Sequence, residues 1–286
     1  MIGARRFGAA LLALALAGCS VPAERLYSEA GRLGLAPVVV VGGGFHMSAF
    51  HSPGSLRLDT LHVYLEGDGT PWDPPGVPAT DPTPRDPLML RLMALDHAPS
   101  LYLGRPCYDV HRRDPGCGPQ LWTDGRYGEA VVEALAAALD GFATARGYRE
   151  MLLFGHSGGG ALALLLATRL QAVRAVVTLA VNYDIDAWAD HHGYHRLGGS
   201  LNPALQAPVR VPEWHLLGGR DRRVPSRLML EPLRRRPGAR VEVVADFDHG
   251  CCWERLWPSL LGNLSRLVNA AMFAGHVKSL PPPPEH

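Results

Sequence analysis

Three side chains of this sequence have the types and surroundings needed to attack a carbonyl carbon: Ser157, Asp221 and His249. Ser157 stands in Gly155-His156-Ser157-Gly158-Gly159, between the apolar runs Met151–Phe154 and Ala161–Leu166. A strand entering a Gly-x-Ser-x-Gly turn and leaving as a helix strains the serine backbone and exposes its hydroxyl above the sheet. Small residues two places to either side let strand and helix pass closely. The helix N-terminus beneath the serine favours developing negative charge. In a chain with 32 glycines the five-residue pattern alone says little, and the flanking strand and helix give it meaning.

A serine hydroxyl becomes a useful nucleophile only beside a base that an acid holds in place. Both partners are expected on loops after later strands, in the chain order serine, acid, histidine. Glu213–Leu217 reads as a strand, Gly218-Gly219 as a turn and Val224-Pro225 as a helix start, which puts Asp221 on such a loop. Its neighbours Arg220, Arg222 and Arg223 are expected to favour the ionised carboxylate. Asp184 and Asp186, after the strand Val173–Val181, are rivals without the glycine turn. For the base, the strand Val241–Ala245 leads through Asp246-Phe247-Asp248 to His249-Gly250. His276 falls in the final helix and His286 in the tail, and His156 is read as a support for the turn. An oxyanion needs two N–H donors. Gly158 is the first, and Gly67-Asp68-Gly69 offers the second, with Asp68 ahead of Gly69.

These positions require a scaffold of alternating strands and helices. Strands are predicted at 36–41, 45–51, 61–66, 101–103, 151–154, 173–181, 213–217 and 241–245. Helices are predicted at 88–95, 128–145 (ended by Gly147), 161–170, 225–236 and 253–273. That alternation argues for an α/β fold, a mostly parallel sheet flanked by helices. Residues 182–212, with Trp188, Tyr194 and three histidines, read as an irregular, cap-like insertion.

Composition narrows the functional classes. Of 286 residues, 47% are hydrophobic and 19% charged, enough for a large single core. A net charge of +1 gives no electrostatic case for nucleic acid as a partner. No cofactor signature is present, and the expected partner is a small acyl ester. His191, His192 and His195 read as loop residues, so no metal site is expected.

The first 18 residues are set apart. Arg5 and Arg6 precede the short apolar run Phe7–Ala17, and Leu16-Ala17-Gly18-Cys19 follows the pattern of an export signal. Small residues followed at once by cysteine resemble the bacterial lipobox, which implies acylation of Cys19 and a stable anchor without a membrane span. Ser20 after it resembles lipoproteins sorted to the outer membrane. Residues 19–35 are then expected to be a tether, 36–275 the folded domain and 276–286 a proline-rich tail. Four further cysteines suit an oxidising compartment. Cys107 and Cys117 are the favoured pair, closing a short loop. Cys251 and Cys252 are left with three options: a vicinal bridge, free thiols, or pairing with that loop.

Tyr64-Leu65-Glu66-Gly67-Asp68-Gly69 together with Gly155-His156-Ser157-Gly158-Gly159 resembles the α/β-hydrolase superfamily. Gly104-Arg105-Pro106-Cys107, Cys117, Trp122, Gly125-Arg126-Tyr127, Ser200-Leu201-Asn202-Pro203 and His249-Gly250-Cys251-Cys252-Trp253 resemble a group of proteobacterial α/β-hydrolase lipoproteins. The likeness spans about Pro37 to Leu267. It implies a Ser-Asp-His serine hydrolase of esters or thioesters, with acyl transfer, peptide cleavage or a catalytically silent binding role as alternatives on the same fold. Glu66-Gly67 stands where lipase-like members commonly carry His-Gly.

Overall fold

The apolar runs become eight strands of one sheet in a computed structural model that describes residues 21–74 and 76–274, with side chains to residue 264. The strands are β1 (Ala36–Gly42), β2 (Phe45–Ser52), β3 (Thr60–Leu65), β4 (Ser100–Leu103), β5 (Glu150–His156), β6 (Val173–Leu179), β7 (Glu213–Gly218) and β8 (Ala239–Val244). Their order is β1-β2-β4-β3-β5-β6-β7-β8, and β2 alone runs against the others. The central strands β3 and β5 are covered on both faces, which is why they read as nearly continuous apolar runs.

Seven α-helices lie among the described residues: α1 (Pro22–Arg32), α2 (Leu88–Ala94), α3 (Glu129–Arg146), α4 (Gly158–Ala167), α5 (Ile185–His192), α6 (Ser226–Arg234) and α7 (Trp253–Ala274). One core packs α3, α4, α5 and α6 on one sheet face through Val131, Leu135, Leu162, Ile185 and Met229. The second packs α1, α2 and α7 on the other through Leu26, Leu92, Trp253 and Trp257.

The stretch expected to be a tether is folded over most of its length. In α1, Pro22 opens the helix, and Ala23, Leu26 and Ala30 form a buried stripe at helical spacing. The Ala23 N–H donates to Asp81 Oδ2 at 3.2 Å, and the Tyr27 hydroxyl lies 2.5 Å from Ser48 Oγ. Ala23 and Asp81 thereby tie the start of α1 to the loop after β3, and the helix runs away from the edge where the parallel strands end.

The insertion expected to be irregular contains α5. Asp184 caps it by accepting from the Ala187 N–H at 3.1 Å. Asn202 Nδ2 donates to both Asp184 and Asp186 at 3.0 Å, so the two rival acids serve as helix and loop supports. The insertion is tied to the loop before α3 by Gly199 N–H and Ser200 Oγ on Asp124, at 2.8 and 2.6 Å.

Cys107 and Cys117 form a disulfide with Cα atoms 5.3 Å apart. Cys251 and Cys252 are bonded to each other, which selects the vicinal bridge among the three options. Among the described residues no helix is long and apolar enough to cross a membrane. Cys19, the export signal and the tail lie outside the described residues.

Candidate active site

Ser157 lies between the last residue of β5 and the first of α4, with φ 54° and ψ −121°. A non-glycine residue in such a conformation carries about 1–3 kcal/mol of strain, which its surroundings must offset. They do so through the backbone. Ser157 N–H donates to the Leu179 carbonyl at 2.9 Å, and its own carbonyl accepts from Gly160 at 3.0 Å and Asn182 at 3.2 Å. A methyl group on Gly155 would collide with the Gly159 backbone, and one on Gly159 with the Leu65 carbonyl. The two glycines of the motif are therefore demanded by the crossing of β5, β3 and α4.

Asp221 follows β7 and His249 follows β8, both at the carboxyl edge of the sheet. His249 Nδ1 lies 2.8 Å from Asp221 Oδ2. The other oxygen, Asp221 Oδ1, accepts the backbone N–H groups of Arg223 and Val224, each at 2.8 Å. The Asp221 side chain is buried, with one oxygen on main-chain donors and the other on His249, while Arg220 pairs with Asp246 at 2.5 Å. Burial holds the His249 imidazole below its ordinary pKa, with the charges of His156 and Arg223 acting in the same sense and the Asp221 contact opposing them. A neutral imidazole with its Nδ1 proton on a carboxylate presents Nε2 as an acceptor.

Gly158 is the first residue of α4, where an N–H has no acceptor within the helix. Gly67 lies against the same turn: a Cβ on it would stand 3.5 Å from Ser157 Cβ. Gly67 N–H is taken by Glu66 Oε1 at 3.1 Å, whereas Asp68 N–H makes no bond to another described residue. The Asp68 side chain is locked. Its Oδ1 lies 3.0 Å from Arg105 Nη1, and its Oδ2 lies 3.2 Å from Arg126 Nη1 and 2.5 Å from the Tyr127 hydroxyl. Burial would raise this carboxyl, but Arg105, Arg126 and Tyr127 outweigh that and hold it below the ordinary carboxylate range. The Tyr108 hydroxyl donates to the Asp68 carbonyl at 3.0 Å. A side chain at Gly158 would collide with Asp68 and Tyr127, so this clamp abuts the first turn of α4.

The clamp is what residue-by-residue reasoning missed. Arg105, Tyr108, Arg126 and Tyr127 belong to loops 37 to 59 residues downstream of Asp68, and no local spacing links them to it. A second unexpected cluster joins His46 and His111, whose Nδ1 atoms each lie 3.1 Å from Asp114 Oδ2. Its three side-chain atoms that could hold a metal ion all fall within 4.8 Å of one another, and the His46–Asp114 contact braces the disulfide loop against the start of β2.

Comparison with known proteins places the fold. No protein-family model and no curated relative matches the chain. It superposes on an esterase of Pyrococcus furiosus with TM-score 0.62 at 12% identity, covering 83% of this chain and 91% of that one. It also superposes on a puromycin hydrolase, with TM-score 0.60 and 18% identity, covering 84% of this chain but only 40% of that one. A third similar structure, from Xanthomonas campestris, is described as an α/β serine hydrolase without a lid; TM-score is 0.54, identity 12% and coverage 87% and 97%. Strand order, helix layers and these likenesses define the α/β-hydrolase fold.

Proposed function

We propose that the protein is a serine hydrolase that cleaves a carboxylic ester or thioester through an acyl-enzyme. The observation that carries this is the Asp221–His249 hydrogen bond of 2.8 Å at the sheet edge that also holds the strained Ser157 turn. In this reading Ser157 Oγ attacks the acyl carbon and its proton passes to His249 Nε2, while Asp221 stabilises the imidazolium. The N–H groups of Gly158 and Asp68 receive the oxyanion. Collapse breaks the bond to the leaving alcohol or thiol, which takes the proton from His249. Water, deprotonated by the same imidazole, then releases the acid and restores Ser157. Three similar structures described as an esterase, a puromycin hydrolase and a serine hydrolase support the reading.

A fluorophosphonate probe tests it against a catalytically silent fold. Labelling at Ser157 that vanishes in Ser157→Ala is expected, together with turnover of p-nitrophenyl acyl esters; an unlabelled, correctly folded protein would sink the assignment. A series of esters of graded chain length then reads the acyl preference. We further propose that the enzyme works at the bacterial envelope, anchored by lipid on Cys19, on the strength of the lipobox-like Leu16-Ala17-Gly18-Cys19 and the Cys107–Cys117 disulfide. Cys19→Ser is expected to move the protein to the soluble fraction, and retention in membranes would count against the anchor.

A further inference from the structure

We infer that His156 is a positioning residue, whose imidazole fixes the loop carrying His249 relative to the Ser157 turn and the oxyanion loop; this rests on the hydrolase reading above. His156 ends β5 directly before Ser157, and its side chain is buried. Its Nε2 lies 2.8 Å from the backbone carbonyl of His249. A carbonyl can only accept, so Nε2 carries the proton and donates. Trp253 Nε1 donates to the same oxygen at 3.1 Å, so both of its lone pairs are used.

The other side of the ring faces the oxyanion loop. His156 Nδ1 lies 3.7 Å from the buried carboxylate of Glu66, whose oxygens accept the N–H groups of Gly67 at 3.1 Å and Met89 at 2.8 Å. A Cβ on Gly67 would stand 3.3 Å from Nδ1, so Gly67 itself packs on the ring. The His156 and His249 rings are 4.8 Å apart, centroid to centroid. One imidazole thus touches the base loop, the oxyanion loop and, through its own backbone, the nucleophile turn. An apolar side chain there would leave the His249 carbonyl with a single donor and Glu66 facing no imidazole.

The test compares His156→Leu with His156→Gln, whose side-chain amide can still reach the His249 carbonyl. Ester turnover by His156→Leu is expected to fall about 10²-fold in kcat with KM within about threefold, because a base misplaced by about 1 Å costs a factor of that order. His156→Gln is expected to stay within about threefold of the parent. Parent-like kcat in the leucine variant, or equal damage in both variants with the fold intact by circular dichroism, overturns the inference. Should the leucine variant not fold, His156→Asn, polar but too short to reach the carbonyl, takes its place with the same expected loss.

A readout independent of turnover separates this inference from the hydrolase assignment. The low-field proton NMR signal of His249 Nδ1–H on Asp221, identified by its absence in His249→Gln, is expected to persist in His156→Gln. It should broaden beyond detection in the leucine or asparagine variant. A sharp, unshifted signal there refutes the positioning role even if no ester is turned over.

Discussion

Asp221→Asn isolates the role of one carboxylate oxygen. Asp221 Oδ1 accepts two backbone N–H groups and Oδ2 faces His249 Nδ1, all three at 2.8 Å. An asparagine must keep its oxygen on the two N–H groups, since turning its NH₂ toward them would strip two buried donors at about 1–3 kcal/mol each. The NH₂ then faces His249 Nδ1, which has to accept, and the ring proton moves to Nε2 on the side the serine needs as an acceptor. A base in the wrong tautomer loses about 10⁴-fold in kcat, or about 5.5 kcal/mol at 1.36 kcal/mol per decade. Asp221→Ala is expected to lose activity similarly and stability as well, because it abandons the same two N–H groups. The assay is p-nitrophenyl ester turnover near pH 7, with thermal melting of both variants. Turnover by Asp221→Asn within about tenfold of the parent would refute the argument.

Three other outcomes follow from the site and its clamp. Because burial, His156 and Arg223 together depress the His249 pKa, kcat/KM should rise with pH through an apparent pKa below about 6.5 and level off above it. The sign is that of a base active only when neutral, so an acid limb centred above about 7 contradicts it. Replacing both Cys107 and Cys117 by serine opens a loop of sequence separation 10, worth roughly 2.7 kcal/mol of chain entropy. Melting should fall by about 5–10 °C in calorimetry, and an unchanged midpoint would show that the bridge does not stabilise the loop. Tyr127→Phe removes the 2.5 Å hydrogen bond to Asp68 and should cost about 1–3 kcal/mol in urea unfolding. Its kcat should drop about tenfold at constant KM, and unchanged kcat would detach Asp68 from the oxyanion.

What the sequence disclosed was whatever is written locally. The Ser157 turn, the loop of Asp221 after β7 and the loop of His249 after β8 each lie within a few residues of an apolar run that announces its strand. Even α1 was legible in principle, since Ala23, Leu26 and Ala30 keep helical spacing, but its polar surface reads as a linker when only hydrophobic content is weighed. The Asp68 clamp was not legible, because Arg105, Arg126 and Tyr127 meet that carboxylate only once β3, β4 and α3 are assembled. Nor do the arginines beside Asp221 announce its partners, because adjacency in sequence does not say which way a side chain turns; main-chain N–H groups take one carboxylate oxygen and His249 the other.

The docking of α1 carries a consequence for orientation. Pro22 begins the helix three residues after Cys19, and Ala23 is already tied to Asp81 beside the loop that follows β3. Three residues of chain reach at most about 11 Å. With lipid on Cys19, as proposed, such a leash would be too short for the domain to tumble freely above the bilayer. The strand ends bearing Ser157 would face the lipid headgroups, and the active site would sample a two-dimensional surface in preference to the surrounding fluid. Lengthening the leash, by inserting a flexible segment between Cys19 and Pro22, would then alter access to membrane-borne esters while leaving soluble ones untouched.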